Sequence, residues 1–289
     1  MITQFLLNGI ITGLLYAVLA IAFGLVYNTT KIFHIAFAGV LVATPFIFYT
    51  FAVQWSLPFI LALLICLTVT GMLNIGIEHF IYKKLEDKKV NHNNILVASI
   101  GVFIVITNIL AMTYGNETKT FQSDVRPSIQ VGTLIITYMQ VLQGIISSVL
   151  ILSFLWILRT TDLGIKIKAL SNNLNLFEVL GHSAARFRMI LFFMSGVLAA
   201  IISLLISHDV GFDPYFGMSL LLNALVAMII GGFGSFKGSA LGGIVLGLIQ
   251  SLSIYFFESR WETAISFLLL ILILILRPQG MYGEKQRLI

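Results

Sequence analysis

The chain has 289 residues; 10% are charged (17 Lys and Arg, 12 Asp and Glu), 58% are hydrophobic, and mean hydropathy is +1.01. Soluble domains carry about 25% charge, so a single water-soluble globule is excluded. One cysteine, Cys66, lies in an apolar run, which excludes a disulfide framework and a cysteine-based zinc cluster; a small buried hydrophobe is its plain role.

In chain order, apolar runs that fit a bilayer core, about 20 helical residues each, fall at 5–27, 35–54, 57–81, 94–114, 133–158, 189–208, 217–232, 239–257 and 262–276. The seventh and ninth are short, and broken helices would move the number of spans to eight or ten. Such continuous runs are not the short alternating strands of a β-barrel. The expected fold is all-α: a polytopic helical bundle, with 1–289 forming one transmembrane domain, because no internal repeat or low-complexity linker divides it. No cleavable signal peptide is expected, since Met1–Gln4 carries no basic residue ahead of the first run.

Charge placement predicts orientation. The first basic residue, Lys31, follows the first run; with Lys31 inside, alternation puts 82–93, 159–188, 233–238 and 277–289 inside too. Of the 17 basic residues only Lys119, Arg126 and Arg260 then lie outside, which leaves 14 inside, while the acids divide evenly. This positive-inside bias predicts an outside N-terminus and a cytoplasmic C-terminus. Trp55, Trp156 and Trp261 fall at span ends, as interfacial anchors do. The net charge of +5 is thus an orientation signal, and no nucleic-acid partner is expected.

Catalytic patterns are missing. His34, His79, His92, His182 and His208 show neither HExxH spacing nor pairing with Cys66, so no catalytic residue, metal or cofactor is expected. No carboxylate falls mid-span, where proton-coupled carriers place their relays. Thr70, Asn74 and Glu78 recur every four residues on one helical face. Glu78 is expected to snorkel to the cytoplasmic interface and pair with a nearby lysine; a polar path along that face is the alternative. Asn8, Thr12, Asn108, Gln140, Gln143, Asn223 and Gln250 lie within runs and are expected to face other helices. An uncharged, weakly polar path suits a small neutral or zwitterionic solute.

Between the seventh and eighth runs, Gly231, Gly232, Gly234, Gly238, Gly242, Gly243 and Gly247 crowd together. A phosphate loop needs Gly-Lys-Ser/Thr after a strand, whereas here Lys237 precedes Gly238 between apolar helices. A tight turn into a closely packed helix fits better, with Gly234/Gly238, Gly238/Gly242 and Gly243/Gly247 as flat i,i+4 strips. The basic segment 159–188 holds a Ser171–Asn175 cluster suited to an N-cap and Gly181 as a left-handed stop. Leu174, Phe177 and Leu180 lie three apart between them. So short a helix is unstable alone, and its apolar stripe needs either the membrane surface or a groove on another protein.

At this segment a resemblance emerges. Arg159–Gly164, Ala169–Asn173 and Gly181 resemble the cytoplasmic loop of permeases from branched-chain amino acid ABC importers of the LivH type. Asn8–Gly9 and Leu14–Ala17 resemble that family's first span, and Ala98–Gly101 its A-T-I-G. Gly231–Ser235 with Gly238, Gly242 and Gly243 resembles its late glycine motif, and Leu276–Gly280 its R-P-Q-G. The likeness covers nearly the whole chain. It implies a multi-pass permease subunit of the bacterial inner membrane, surrounded by lipid and not itself an enzyme. Such subunits pair with a second permease (homo- or heterodimer), two cytoplasmic ATPases that hydrolyse the ATP, and an extracytoplasmic solute-binding protein.

On that resemblance, Leu174, Asn175, Phe177, Glu178, Leu180 and Gly181 form a coupling helix for the ATPase, flanked by Arg186 and Arg188. The translocation path takes in His34, Ala36, Gly39, Ser99, Gly101 and Asn223. Two departures stand out. The family's N-F-A-H-G reads His34–Ile35–Ala36–Phe37–Ala38 with Gly39 following, and its E-A-A reads Asn175–Leu176–Phe177. The implied solute is a branched-chain or other hydrophobic amino acid. The alternatives are another small solute such as urea, or a stand-alone carrier or channel.

Overall fold

The computed structural model describes residues 2–121, 128–132, 134–257, 259–277 and 279–283; Arg126 and Pro278 lie outside them. Its elements are α1 (Ile2–Thr30), α2 (Ala36–Tyr49), α3 (Phe59–Ile77), α4 (Lys83–Asp87), α5 (His92–Tyr114), β1 (Ser128–Val131), β2 (Leu134–Thr137), α6 (Tyr138–Thr160), α7 (Asp162–Asn172), α8 (Leu174–Val179), α9 (Ala184–Val210), α10 (Phe216–Gly231), α11 (Phe236–Phe256) and α12 (Glu262–Leu276). A π turn, Glu78–Tyr82, joins α3 to α4 without a break, and a second, Thr50–Gln54, extends α2. Among the described residues, seven helices are long and apolar enough to cross a membrane, and two shorter apolar ones, Phe216–Gly231 and Thr263–Leu276, match the short seventh and ninth runs. The protein is an all-α, multi-pass membrane protein.

The sixth span begins at Ala184, five residues before the expected 189, and the start of the fifth differs for a structural reason. The fifth span begins at Tyr138 and not near 133, because Leu134–Thr137 pairs antiparallel with Ser128–Val131 around Gly132, whose φ is +62°. Ile135, Ile136 and Thr137 favour a strand over a helix start.

The chain divides into two compact units. One comprises Met1–Gly24, Asp124–Thr160 and Leu222–Ile289; the other comprises Leu25–Ser123 and Thr161–Leu221. In the second unit, α2 packs on α3, α5 and α9, and α3 packs on α9. The α3–α9 crossing is close at Gly71 and Gly196: a Cβ on Gly196 would stand 3.1 Å from the Gly71 Cα. Small residues permit such approaches where lipid removes the hydrophobic drive between helices. Pro45 inside α2 cannot bond the Leu41 carbonyl; Ser203 of α9 donates to that oxygen instead, at 2.6 Å, and so meets the membrane requirement that backbone groups be satisfied internally.

The first unit is built on glycine. Gly238 and Gly242 of α11 meet Gly231 and Ala227 of α10, while Gly243 and Gly247 meet Ala17 and Gly13 of α1. A Cβ at any of these four α11 positions would overlap backbone atoms of the facing helix. Adjacent helix positions are about 100° apart, so α11 offers two glycine faces to two neighbours.

Candidate functional site

Within the second unit, the segment between α1 and α2 carries His34 into a closed polar cluster. His34, Asn74 and Ser99 are fully buried, as is Tyr82 of the π turn. Asn74 Oδ1, an acceptor only, stands 2.8 Å from His34 Nε2, so Nε2–H donates and fixes the tautomer. His34 Nδ1 must then accept, from the Tyr82 hydroxyl at 2.7 Å. Tyr82 Oη in turn accepts from Ser99 Oγ at 2.6 Å, and Ser99 Oγ accepts from the Ala36 N–H at 2.8 Å. At the far end Asn74 Nδ2 donates to the Phe192 carbonyl at 2.7 Å. Every bond runs in one direction, from the start of α2 through α5, the π turn and α3 to α9. Burial pushes the His34 pKa down to about 4, against a smaller opposing effect of the Asn74 bond, so the ring is neutral, as the chain of bonds requires.

Three of the residues placed on the translocation path, His34, Ala36 and Ser99, therefore meet, with their bonding capacity used internally. Gly39 faces Ile106, to which a Cβ would stand at 3.0 Å; Gly101 is exposed with nothing near its missing Cβ. Asn223 lies in the first unit, where Gln250 Nε2 donates to it at 3.1 Å and reaches Ser266 Oγ, tying α10, α11 and α12.

Glu78 does not snorkel to a lysine. It is 3% exposed and pairs with Arg188 of α9, Nη2 to Oε1 at 2.8 Å, while Nη1 of the same guanidinium meets Glu86 Oε2 at 2.5 Å. A buried carboxylate needs a matching charge, and the planar fork of arginine serves two carboxylates at once where an ammonium would act as a point charge. No local sequence signal pointed to this cluster, since Arg188 lies over 100 residues along the chain from both glutamates. The Thr70–Asn74–Glu78 face is real, and all three residues are buried.

Segment 161–183 holds two helices where one was expected. Thr161 precedes α7, whose buried Ile167 and Leu170 face inward, and Ser171 Oγ donates to the Asn28 carbonyl at 2.7 Å. The spacing of Leu163, Ile167 and Leu170 after Thr161–Asp162 carried that signal. Ser171 and Asn172 close α7; the extended Asn173 separates it from α8. In α8 the expected stripe divides. Phe177 is 2% exposed, its ring 5.1 Å from His182 and 5.6 Å from Phe187. Leu174, Val179 and Leu180 are 41%, 82% and 64% exposed, and Glu178 is exposed too. The Asn175 side chain lies outside what is described. Gly181 takes φ +85° and ends the turn; Ser183 caps α9 by accepting from the exposed Arg186's N–H.

In the first unit, Gly232 (φ +102°) and Gly234 (φ +87°) shape the turn into α11, which Ser235 caps by accepting from Gly238 N at 3.1 Å. Gly234 thus belongs to the turn and not to a helix strip. The segment after α12 returns here: Met281 and Tyr282 donate to the Ile230 and Gly231 carbonyls, both at 2.9 Å, and Gly280 (φ +71°) lies against Gly232. The late glycine motif and the C-terminal Gln279–Gly280 therefore form one joint, a contact that separate motifs could not reveal. Among the described residues no group of His, Cys, Asp or Glu could hold a metal.

Spans, glycine crossings and a buried polar core define a multi-pass membrane protein. The chain belongs to the family described as branched-chain amino acid transport system permease component, whose sequence model matches residues 5–274. It is similar to the high-affinity branched-chain amino acid transport system permease protein LivH of Escherichia coli K12, 25% identical over 98% of this chain and 96% of that one. The corresponding permease protein BraD of Pseudomonas aeruginosa is 24% identical over the same shares. A solved structure titled PsaBC from Streptococcus pneumoniae in complex with Fab shares the fold, with a TM-score of 0.54 at 12% identity over 96% of this chain and 94% of that one. The chain is thus a translocation component of a transport system, a multi-pass protein of the inner membrane.

Proposed function

We propose that this chain is the permease subunit of an ABC importer for amino acids, branched-chain or otherwise hydrophobic, energised by separate cytoplasmic ATPases. A second permease and an extracytoplasmic solute-binding protein complete the assembly. The chain acts as one transmembrane domain, with its N-terminus outside and its C-terminus and segment 159–188 in the cytoplasm. The observation that carries this reading is the family match along nearly the full chain, together with α8. That helix exposes Leu174 and Val179, with Leu180 exposed just past its end, while Phe177 anchors it from beneath. A six-residue helix does not persist in water by itself, so an anchored one with apolar residues facing outward suits docking into an ATPase groove.

The test is co-purification of the importer's ATPase subunit with wild type and with Leu180→Asp. Wild type should retain the ATPase, and Leu180→Asp should lose it while inserting normally in the membrane. Equal retention by both would overturn the coupling role. Phe177→Asp is the poorer probe, because it would unfold the anchor rather than alter the docking face.

A further inference from the structure

We propose that Arg188 is a positioning residue for transport, linking displacement of α8 to the π turn Glu78–Tyr82 and through Tyr82 to the His34 chain. The inference rests on the ABC reading above and deepens it by naming how motion leaves α8. Four observations carry it, all within the second unit.

The elbow between α8 and α9 is packed. Phe177 is buried against His182 and against Phe187 of the first turn of α9, and the His182 N–H reaches back to the Phe177 carbonyl. Arg188 is the next residue. Its guanidinium bridges Glu78 and Glu86, which bracket the π turn: one opens it, the other lies in α4 just beyond it. Tyr82 closes the π turn and holds both His34 and Ser99. A continuous set of packed contacts therefore runs from α8 to the start of α2.

Contiguity alone does not make a relay; an element with two arrangements is needed. The π turn supplies one, because it holds an extra residue relative to an α-helix, and such turns concentrate at functional sites. Annealing it to α geometry would rotate Tyr82 about 100° around the helix axis relative to Glu78 and break both of its hydrogen bonds. The ion cluster is itself incompletely satisfied: Glu78 Oε2 and Arg188 Nε are buried and have no hydrogen-bond partner among the described residues. Buried groups left so are unusual, and they mark a cluster held by charge that can be remade as its members slide.

Two measurements test this. In the isolated chain, spin labels at the exposed sites of Val179→Cys and Lys31→Cys report α8 against the start of the His34 segment. The wild-type distance distribution should be narrow and should broaden at least twofold in Arg188→Gln; an unchanged width would overturn the link. In proteoliposomes holding the full importer, Arg188→Gln should keep the ATPase bound and hydrolysing, yet lower solute moved per ATP at least tenfold. Arg188→Lys, which keeps the charge but not the fork, should restore less than a third of the coupling; full rescue would mean a merely structural charge and overturn the proposal. Should Arg188→Gln fail to fold, the double variant Glu78→Gln/Arg188→Gln removes the more deeply buried of the two carboxylate charges, leaving the part-exposed Glu86, and is read in its place. Normal coupling in that variant would again count against Arg188. Failure of wild type to bind any ATPase sinks the ABC reading, and the label widths then still decide whether Arg188 links α8 to the π turn.

Discussion

The two compact units hold their helices together differently. In the first, α11 lies against α10 and α1 through Gly238, Gly242, Gly243 and Gly247, with backbone meeting backbone. In the second, the glycine crossings of Gly71 with Gly196 and of Gly217 with Ala38 stand beside a buried arginine, two glutamates and a one-directional chain of hydrogen bonds. Inside a bilayer the hydrophobic effect does not sort helix from lipid, so packing and polar satisfaction remain as the two sources of specificity. Close packing gives one tight arrangement with little tolerance. A polar network stabilises too, but its bonds can be exchanged for others, and it lies in the unit that carries α8.

That contrast can be broken at several points. The largest effect is expected at Gly242→Val: the added atoms overlap the Ala227 carbonyl, overpacking that costs about 3 kcal/mol or more where backbone cannot yield. Expression and thermal unfolding in detergent should show little folded protein; a stable variant would show that the glycine contact is loose. Next is Arg188→Gln, expected to destabilise by about 3–5 kcal/mol by leaving two carboxylates uncompensated, with the double variant Glu78→Gln/Arg188→Gln recovering much of the loss. Tyr82→Phe should cost about 1–3 kcal/mol, because His34 Nδ1 loses its donor and the buried Ser99 hydroxyl its acceptor.

Acid gives a comparable effect through His34. The folded value near 4 lies below the unfolded one of about 6.5, so between them the unfolded chain binds the additional proton. Stability is full above about pH 6.5, falls as pH drops through that window and levels off below about 4. The His34 contribution is on the order of 2 kcal/mol between pH 7 and 5. Unfolding of wild type against His34→Gln at the two pH values should show it, and identical pH slopes would contradict it. Smallest is Gly101→Ala, expected to be neutral or to stabilise by up to about 1 kcal/mol, since the position is exposed with open space around it.

The sequence made the spans plain, because 20-residue apolar runs carry their own signal; even the short seventh and ninth were visible. The glycine cluster also announced close packing. What stayed hidden depended on distance along the chain. Glu78 looked like an interfacial residue beside lysines, and nothing nearby pointed to Arg188. His34 was expected along the pathway, and nothing near it in sequence showed that Tyr82 and Asn74 take up both of its ring nitrogens. Phe177 was expected to share a helical stripe with Leu174 and Leu180, yet the six-residue helix turns Phe177 into the protein and Leu174 out, and ends before Leu180. Strand β2 was masked by hydrophobicity that serves strand and span alike.

The central claim is that this chain imports an amino acid using ATP hydrolysed by partner subunits. Its most direct test is uptake of labelled leucine into proteoliposomes holding this permease, its partner permease, the ATPases and external binding protein, with and without ATP inside the compartment that the ATPases face. Uptake that requires both ATP and binding protein, and that Leu180→Asp abolishes, is the predicted result. Leucine uptake by this chain alone, indifferent to ATP, would contradict the account.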